Sequence, residues 1–175
     1  DAPISLGGFN NQIDFNNVSF KYGDTQVLNG INFSIKKGQN VALVGESGSG
    51  KTSLINLIPR FYDVSEGELT IDGKNLKSLY IDELRSLISL VSQDAILFNT
   101  SIIENIAFGE SEPDINRVIE AAKNANAHDF ISSFSDGYST VIGERGNKLS
   151  GGQKQRISIA RAIYKGGEIL ILDEA

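Results

Sequence analysis

One segment, from Val41 to Thr52, constrains the fold of this chain more than any other. Its continuous apolar run, Val41 to Val44, predicts a central strand that is covered on both faces. The next residues read Gly45-Glu46-Ser47-Gly48-Ser49-Gly50-Lys51-Thr52, and the apolar residues after them recur at helical spacing up to Pro59. Glycines between a strand and a helix let backbone N–H groups converge on an anion. The segment therefore predicts a phosphate-binding loop.

Two side chains at the end of this loop indicate what the bound anion is. Lys51 is expected to reach the β- and γ-phosphates of a nucleotide, and the Thr52 hydroxyl is expected to ligate Mg²⁺. Kinases and GTPases carry loops of the same pattern. The loop alone therefore predicts nucleotide binding and no single reaction.

A second apolar run, Ile169 to Leu172, is followed by Asp173 and Glu174. A buried strand that ends in a carboxylate can deliver it to the Mg²⁺ side of a phosphate site, which is the role predicted for Asp173. Glu174 lies one position on and points differently, so we expect it to polarise an attacking water.

A second anion-binding end is predicted at Leu149-Ser150-Gly151-Gly152-Gln153, before a helix over Gln153 to Tyr164. Ser150 suits an N-cap, and the two glycines expose backbone N–H groups at the start of the helix. One chain rarely needs two such ends for one nucleotide. We therefore expect the second to serve the nucleotide of a neighbouring chain.

The remaining pattern predicts an antiparallel β lobe early in the chain, and mainly helices between about 100 and 150. Apolar positions alternate from Ile13 to Tyr22 and change phase at Asn16-Asn17, which indicates a bulge. Asp72-Gly73 predicts the turn of a hairpin. Further expectations are a buried strand over Ile88 to Val91, and a helix after Pro113 with Ile115, Val118, Ile119 and Ala122 on one face.

Composition excludes several classes of function. Of 175 residues, 40% are hydrophobic and 22% charged, as in ordinary globular proteins. The net charge of −6 argues against a broad nucleic-acid-binding face. No apolar run approaches the roughly 18 residues of a membrane span. Because the sequence starts at Asp1 and has no Met, we expect a segment of a longer protein, and the absence of Cys fits a reducing compartment.

The phosphate loop, Leu-Ser-Gly-Gly-Gln and the apolar-Asp-Glu strand together resemble the ATP-binding cassette (ABC) family, from about residue 13 to the last residue. The resemblance implies ATP and Mg²⁺ as cofactors and ATP hydrolysis as the reaction. It implies that Tyr22 stacks on adenine and that Gln93 touches Mg²⁺ and the attacking water. The implied catalytic residues are Glu174, Gln93 and Lys51, and the implied Mg²⁺ ligands are Thr52, Gln93 and Asp173. The implied nucleotide-binding residues are Tyr22, Gly45, Glu46, Ser47, Gly48, Ser49, Gly50, Lys51, Thr52, Ser53, Asp173, Ser150, Gly151, Gly152 and Gln153.

Three segments are typical of exporters in this family: Gly143-Glu144-Arg145-Gly146, Leu97 to Ile106, and Ile58 to Asp63. The resemblance is to bacterial lipid flippases and multidrug exporters, and it implies substrate export driven by ATP. The implied partners are a second nucleotide-binding domain, in a homo- or heterodimer that holds two ATP molecules, and the coupling helices of a transmembrane domain. Nucleic acid is not an expected partner. The implied location is the cytoplasmic face of the plasma membrane, the inner membrane in bacteria.

The predicted fold class is α/β: a P-loop NTPase (RecA-like) core with an antiparallel β subdomain, an inserted α-helical subdomain and an incomplete C-terminal part. We expect a linker over 1–12 from an upstream membrane domain and a partial nucleotide-binding domain over 13–175. Its β lobe spans about 13–40, its core about 41–95 and 150–175, and its α-helical lobe about 96–149. The family has a further core strand and a switch histidine after the Asp-Glu pair. Without that strand we expect exposed apolar surface on its two neighbours, and we expect His128, the only histidine, at the surface.

Other functions stay open at this stage. The ATPase subunit of an importer would carry the same motifs. A nucleotide-gated module that does not hydrolyse ATP would fit a chain without the switch histidine, although Glu174 favours hydrolysis. Cassette ATPases that act on DNA carry coiled-coil insertions or zinc modules between the nucleotide motifs, whereas this interval has neither heptads nor cysteines. We expect this segment alone to be a weak or inactive ATPase.

Overall fold

The structure is a computed structural model that describes residues 2–173, so Glu174 lies outside the described residues and its role stays a prediction. The chain divides into two units, Asp1–Ile88 and Ser89–Ala175. Within the described part, none of the helices has both the length and the apolar character that crossing a bilayer requires.

The first unit is built on antiparallel strands. Its elements are β1 (Gln12–Tyr22), β2 (Thr25–Lys36), α1 (Lys51–Leu57), β3 (Glu66–Ile71), β4 (Lys74–Asn75), a 3-10 turn (Leu76–Ser78) and α2 (Ile81–Ser86). The four strands form one sheet in the order β2-β1-β3-β4, and α1 packs against β2. The antiparallel β lobe predicted from the alternating residues is therefore present, and it also includes the hairpin of β3 and β4.

The bulge predicted at Asn16-Asn17 is confirmed. The pairing of β1 with β2 shifts register after Phe15, and Asn17 has a φ of 51°. Gly67 on β3 makes room for this bulge, because a Cβ at that position would lie 2.1 Å from the Asn17 carbonyl oxygen. Glycine is thus required opposite the bulge.

The predicted turn at Asp72-Gly73 joins β3 to β4, and both residues have positive φ, as a type I′ hairpin turn needs. The Asp72 carboxylate also accepts the backbone N–H groups of Asn10 at 2.6 Å, Asn11 at 2.8 Å and Gln12 at 3.0 Å. Burial acts to raise the pKa of Asp72, but these hydrogen bonds outweigh it and hold the pKa below its ordinary value. The turn therefore fixes the backbone that leads into β1.

The second unit combines two short strands with a cluster of helices. Its elements are β5 (Ile88–Val91), which begins at the last residue of the first unit, α3 (Ile102–Ile106), α4 (Ile115–Asn124), α5 (His128–Ser132), two 3-10 turns (Gly137–Ser139 and Glu144–Gly146), α6 (Gly151–Lys165) and β6 (Ile169–Leu172). β5 is buried, as predicted, and pairs with β6. Gly167 N–H donates to Ser89 Oγ at one end of the pair, and Asp173 N–H donates to the Val91 carbonyl at the other. The two strands therefore run in the same direction.

The helices of the second unit share one apolar core, in which α6 packs against α3 and α4, so the prediction of a mainly helical middle segment is confirmed. The predicted face of α4 is only partly right. Val118 and Ala122 are fully buried, but Ile115 is 42% exposed. Side chains tilt toward the N-terminus of their helix, so the side chain of the first helical residue extends beyond the packed turns.

The prediction that Val41 to Val44 forms a buried central strand is wrong. This segment lies outside both sheets, and Val44 is 94% exposed. A strand needs hydrogen-bonding neighbours at its edges, and no strand within residues 2–173 pairs with this one. In β6, likewise, Ile169 and Ile171 are buried but Leu170 and Leu172 are half exposed. Both runs thus carry the exposed apolar surface that was expected beside an absent strand.

Candidate nucleotide-binding site

The predicted phosphate loop is an exposed turn that leads into α1, and its backbone depends on two glycines with positive φ. Gly48 has a φ of 81° and Gly50 a φ of 93°. A Cβ on Gly48 would meet nothing within 4 Å, whereas one on Gly50 would lie 2.9 Å from Leu28 Cδ2 and 3.1 Å from Val27 Cγ1. Gly50 also precedes α1 and supplies no side-chain cap. N–H groups at the start of a helix are the donors that an anion binds at such an end.

Lys51 lies folded over this loop. Its Nζ donates to the carbonyl oxygens of Gly45 and Glu46, each at 2.8 Å. Within the loop, Ser49 N–H donates to the Glu46 carbonyl at 3.2 Å, while Thr52 is exposed on the first turn of α1. A positive charge and a helix start without a side-chain cap thus meet where the sequence predicts phosphates.

Tyr22, the predicted adenine-stacking residue, lies beside the loop in the same unit. It is the last residue of β1, and its hydroxyl is 3.4 Å from Oγ of Ser53 in α1. Tyr22 is 43% exposed, and its ring makes perpendicular contacts with Phe20 and with Tyr62. Sequence reasoning missed Tyr62, although it lies in the exporter-like segment Ile58 to Asp63.

In the second unit, Gln93 and Asp173 follow the carboxyl ends of neighbouring strands. Asp173 comes directly after β6 and is hydrogen-bonded through its N–H to Val91, the last residue of β5, at 2.9 Å. Gln93 stands two residues beyond Val91. The structure therefore brings these two predicted Mg²⁺ ligands to one sheet edge. Over residues 2–173 there is no group of three or more His, Cys, Asp or Glu side chains that could hold a metal by themselves.

The Leu-Ser-Gly-Gly-Gln segment forms the start of α6, and the N-cap predicted at Ser150 is confirmed. Ser150 N–H donates to Gln153 Oε1 at 2.9 Å, and Gln153 N–H donates to Ser150 Oγ at 3.3 Å. Gly151 and Gly152 are exposed, and a Cβ on Gly151 would meet nothing within 4 Å. Because Ser150 Oγ acts as an acceptor inside the cap, its own O–H can still donate to an anion.

An exposed aromatic pair in the second unit was not foreseen. The rings of Phe98 and Phe108 stack with centroids 4.6 Å apart, and these residues are 40% and 59% exposed. Behind them, Arg161 donates to the carbonyl oxygens of Asn105 at 2.7 Å and Ile96 at 2.8 Å, and burial lowers the pKa of its guanidinium. Phe98 lies in the exporter-like segment Leu97 to Ile106 and Phe108 lies two residues after it, and these two aromatic residues are the signal that sequence reasoning could have used.

His128, expected at the surface, has intermediate exposure. It starts α5 and is partly buried, because its ring packs against Tyr138, with Nδ1 2.9 Å from the tyrosine hydroxyl. Burial raises the pKa of Tyr138.

Comparison with known proteins agrees with these motifs. The family model described as ABC transporter matches residues 28–175. The ATP-dependent lipid A-core flippase of Syntrophus aciditrophicus (strain SB) is 52% identical over 175 residues, which are 100% of this chain and 29% of the flippase. A Staphylococcus aureus (strain NCTC 8325) protein, named for multidrug export and as an ATP-binding/permease protein, is 55% identical over 166 residues, 94% of this chain and 29% of its own length.

A solved structure of a bacterial Atm1-family ABC exporter with ATP bound matches the fold with a TM-score of 0.93 and 43% identity, over 99% of this chain and 30% of the exporter chain. The predicted fold class, an α/β P-loop NTPase fold with an antiparallel sheet and helices, is thereby confirmed. The chain spans less than a third of the length of each of these relatives. Since the family model covers most of its residues and the motifs occupy the elements just described, the chain belongs to the ABC transporter family.

Proposed function

We propose that this chain binds and hydrolyses ATP to power the export of a substrate across a membrane, in a dimer that holds two ATP molecules between two nucleotide-binding domains. The phosphate loop carries the proposal. Its one lysine, Lys51, lies over the carbonyl oxygens of Gly45 and Glu46 at the start of a helix with no side-chain cap. The names of the flippase and of the exporters compared above support the direction of transport.

ATP binding would use the groups that the first unit already brings together. The loop N–H groups and Lys51 hold the phosphates, and Lys51 exchanges its two carbonyl acceptors for charged phosphate oxygens, which bind a lysine more strongly. Tyr22 stacks on adenine. Its hydroxyl contact with Ser53 keeps its ring close enough to the loop for one nucleotide to reach both.

The side chains proposed as Mg²⁺ ligands suit that ion. Thr52, Gln93 and Asp173 offer hydroxyl, amide and carboxylate oxygens, and Mg²⁺ usually takes one or two protein carboxylates together with phosphate and water oxygens. When bound, Mg²⁺ neutralises charge that develops on the phosphate oxygens. Glu174, next to Asp173, accepts the proton of the attacking water.

Two surfaces of the second unit support the proposed partners. The open start of α6, with Ser150, Gly151 and Gly152, donates to the γ-phosphate that a second copy holds on its own loop. The exposed pair Phe98 and Phe108 offers an apolar face for the coupling helices of a transmembrane domain. The proposed location of the chain is accordingly the cytoplasmic face of a membrane, the inner membrane in bacteria.

The dimer is tested in the nucleotide-binding domain of the gene product. Glu174→Gln keeps the shape of the side chain but removes its ability to accept a proton, so ATP should be bound and not consumed. Light scattering should then show a dimer with ATP and a monomer with ADP, because ADP lacks the bridging phosphate.

Adding Ser150→Arg to the same chain should abolish that dimer and leave ATP binding by the monomer intact, since a large cation fills the clamp. Ser135→Arg, at another exposed serine of the second unit, is the matched control and should keep the dimer. If Ser150→Arg abolishes ATP binding by the monomer, the segment acts on its own chain's nucleotide and the sandwich is wrong. A Glu174→Gln domain that hydrolyses ATP at the unmodified rate would assign proton transfer to another residue.

A further inference from the structure

Three aromatic rings, those of Phe20, Tyr22 and Tyr62, form a cluster beside the phosphate loop. The centroids of Tyr22 and Tyr62 are 5.1 Å apart, with the ring planes at 90°. Phe20 lies 4.7 Å from Tyr22 at 82° and 5.4 Å from Tyr62 at 49°. Edge-to-face contacts at these distances are favourable because the positive edge of one ring meets the negative face of another. Tyr22 is therefore held by two aromatic neighbours.

Tyr22 needs such neighbours because of its position. It ends β1 at the tight turn into β2 and is half exposed, so its own strand constrains its side chain weakly. Phe20 is buried two residues earlier on the same strand and supports one side of the ring. The hydroxyl contact with Ser53 restrains the tip of the side chain. The second aromatic support of the ring is Tyr62, which comes from a segment distant in sequence.

Tyr62 is itself fixed, although it is 44% exposed. The side chains of Arg60, two residues before Tyr62, and Asp63, the residue after it, form an ion pair with Nε 3.1 Å from Oδ1. From α2, Arg85 Nε donates to the Pro59 carbonyl at 3.0 Å and Nη2 donates to the Arg60 carbonyl at 3.0 Å. The backbone around Tyr62 is thus tied both to itself and to a helix, as a residue that orients another one requires.

We propose that Tyr62 is a positioning residue for the nucleotide base: it holds the ring of Tyr22 in the plane on which adenine stacks. The inference rests on the proposed role of Tyr22 in the ATP site. By ordering the Tyr22 ring before the nucleotide arrives, Tyr62 reduces the side-chain entropy that binding would otherwise cost. It acts on the base alone, since the loop and Lys51 hold the phosphates.

The test compares two ligands in the full-length gene product: ATP and inorganic tripolyphosphate, which has the phosphates without the base. By calorimetry, Tyr62→Ala should weaken ATP binding about three- to tenfold and leave tripolyphosphate binding unchanged. Tyr62→Leu, which keeps apolar bulk without a ring, should behave in the same way. Tyr62→Phe should bind ATP normally because it keeps the ring. Tyr80→Ala, at a tyrosine that is 51% exposed and outside the cluster, is the matched control and should have no effect.

The double variant Tyr22→Ala/Tyr62→Ala should bind ATP no more weakly than Tyr22→Ala, because Tyr62 acts through Tyr22. Additive losses, an equal loss for both ligands, or unchanged ATP binding by Tyr62→Ala would each overturn the positioning role. The proposed ATP site fails by different results: Tyr22→Ala leaves ATP binding unchanged, or Lys51→Ala leaves the binding of both ligands unchanged.

Discussion

We predict that Arg161→Met lowers the free energy of unfolding by about 3 kcal/mol. Arg161 makes three hydrogen bonds, two of them to the fully buried Asn105. Its Nε donates to the Asn105 carbonyl at 2.7 Å and its Nη2 donates to Asn105 Oδ1 at 3.1 Å. Its Nη1 donates to the Ile96 carbonyl at 2.8 Å. The guanidinium also lies 5.7 and 5.6 Å from the ring centroids of Phe98 and Phe108. A hydrogen bond from a charged donor contributes about 1.5–3 kcal/mol and a cation–π contact about 0.5–1 kcal/mol. Methionine avoids the cost of desolvating a guanidinium, and its side chain still packs where the stem of Arg161 lies. Both effects offset part of the stabilisation that these contacts supply.

Urea unfolding of the complete nucleotide-binding domain measures this loss. Arg161→Lys keeps the charge but not the planar fork, so it should lose about half as much. Arg156→Met is the control on the same helix, because Arg156 makes one hydrogen bond, to the Asn126 carbonyl at 3.2 Å, and one ring contact, with Phe130. A loss for Arg161→Met that matches the loss for Arg156→Met would refute the reasoning, since the three bonds would then contribute nothing beyond one exposed contact.

Three further outcomes follow from single positions. Asp72→Asn should make stability depend less on pH in acid. The folded-state pKa of Asp72 lies below its ordinary value of 3.8, so the stabilisation by its carboxylate disappears as the pH falls through that folded-state pKa. Unfolding measured across acid pH checks this, and an unchanged dependence of stability on acid pH would contradict it. Gly50→Ala should lower the free energy of unfolding by about 3 kcal/mol, and Gly48→Ala should lower it by about 1–2 kcal/mol. Both glycines have positive φ, but only a Cβ on Gly50 would lie 2.9 Å from Leu28. Equal losses for the two variants in urea unfolding would argue against that contact. Ser150→Ala should destabilise the domain by about 1 kcal/mol because the N-cap is lost, and Ser150→Asp should restore most of that stability. If thermal unfolding shows Ser150→Ala to be as stable as the parent, the cap is dispensable.

The features that the sequence predicted correctly depend on residues close together in the chain. The turn at Asp72-Gly73 needs two residues that tolerate positive φ, and the sequence places them between two strands. The N-cap at Ser150 needs a side-chain oxygen near the backbone N–H of Gln153, which helix geometry supplies. The glycine-rich turn before α1 likewise depends on the conformational freedom of glycine before a helix. Local chemistry is sufficient for each of them, so the site motifs could be placed on their elements from the sequence.

The features that only the tertiary structure decided depend on partners distant in the chain. Val41 to Val44 has the composition of a buried strand, yet it forms none, because pairing requires an adjacent strand and none among residues 2–173 supplies its edge. Tyr62 reaches Tyr22 only because the segment after α1 folds back to the end of β1. The pattern of apolar residues reports which side chains prefer to leave water and does not specify which surface they meet. Local motifs therefore determine the chemistry that this chain carries, and the contacts between distant segments determine which strands form and which rings are held in place.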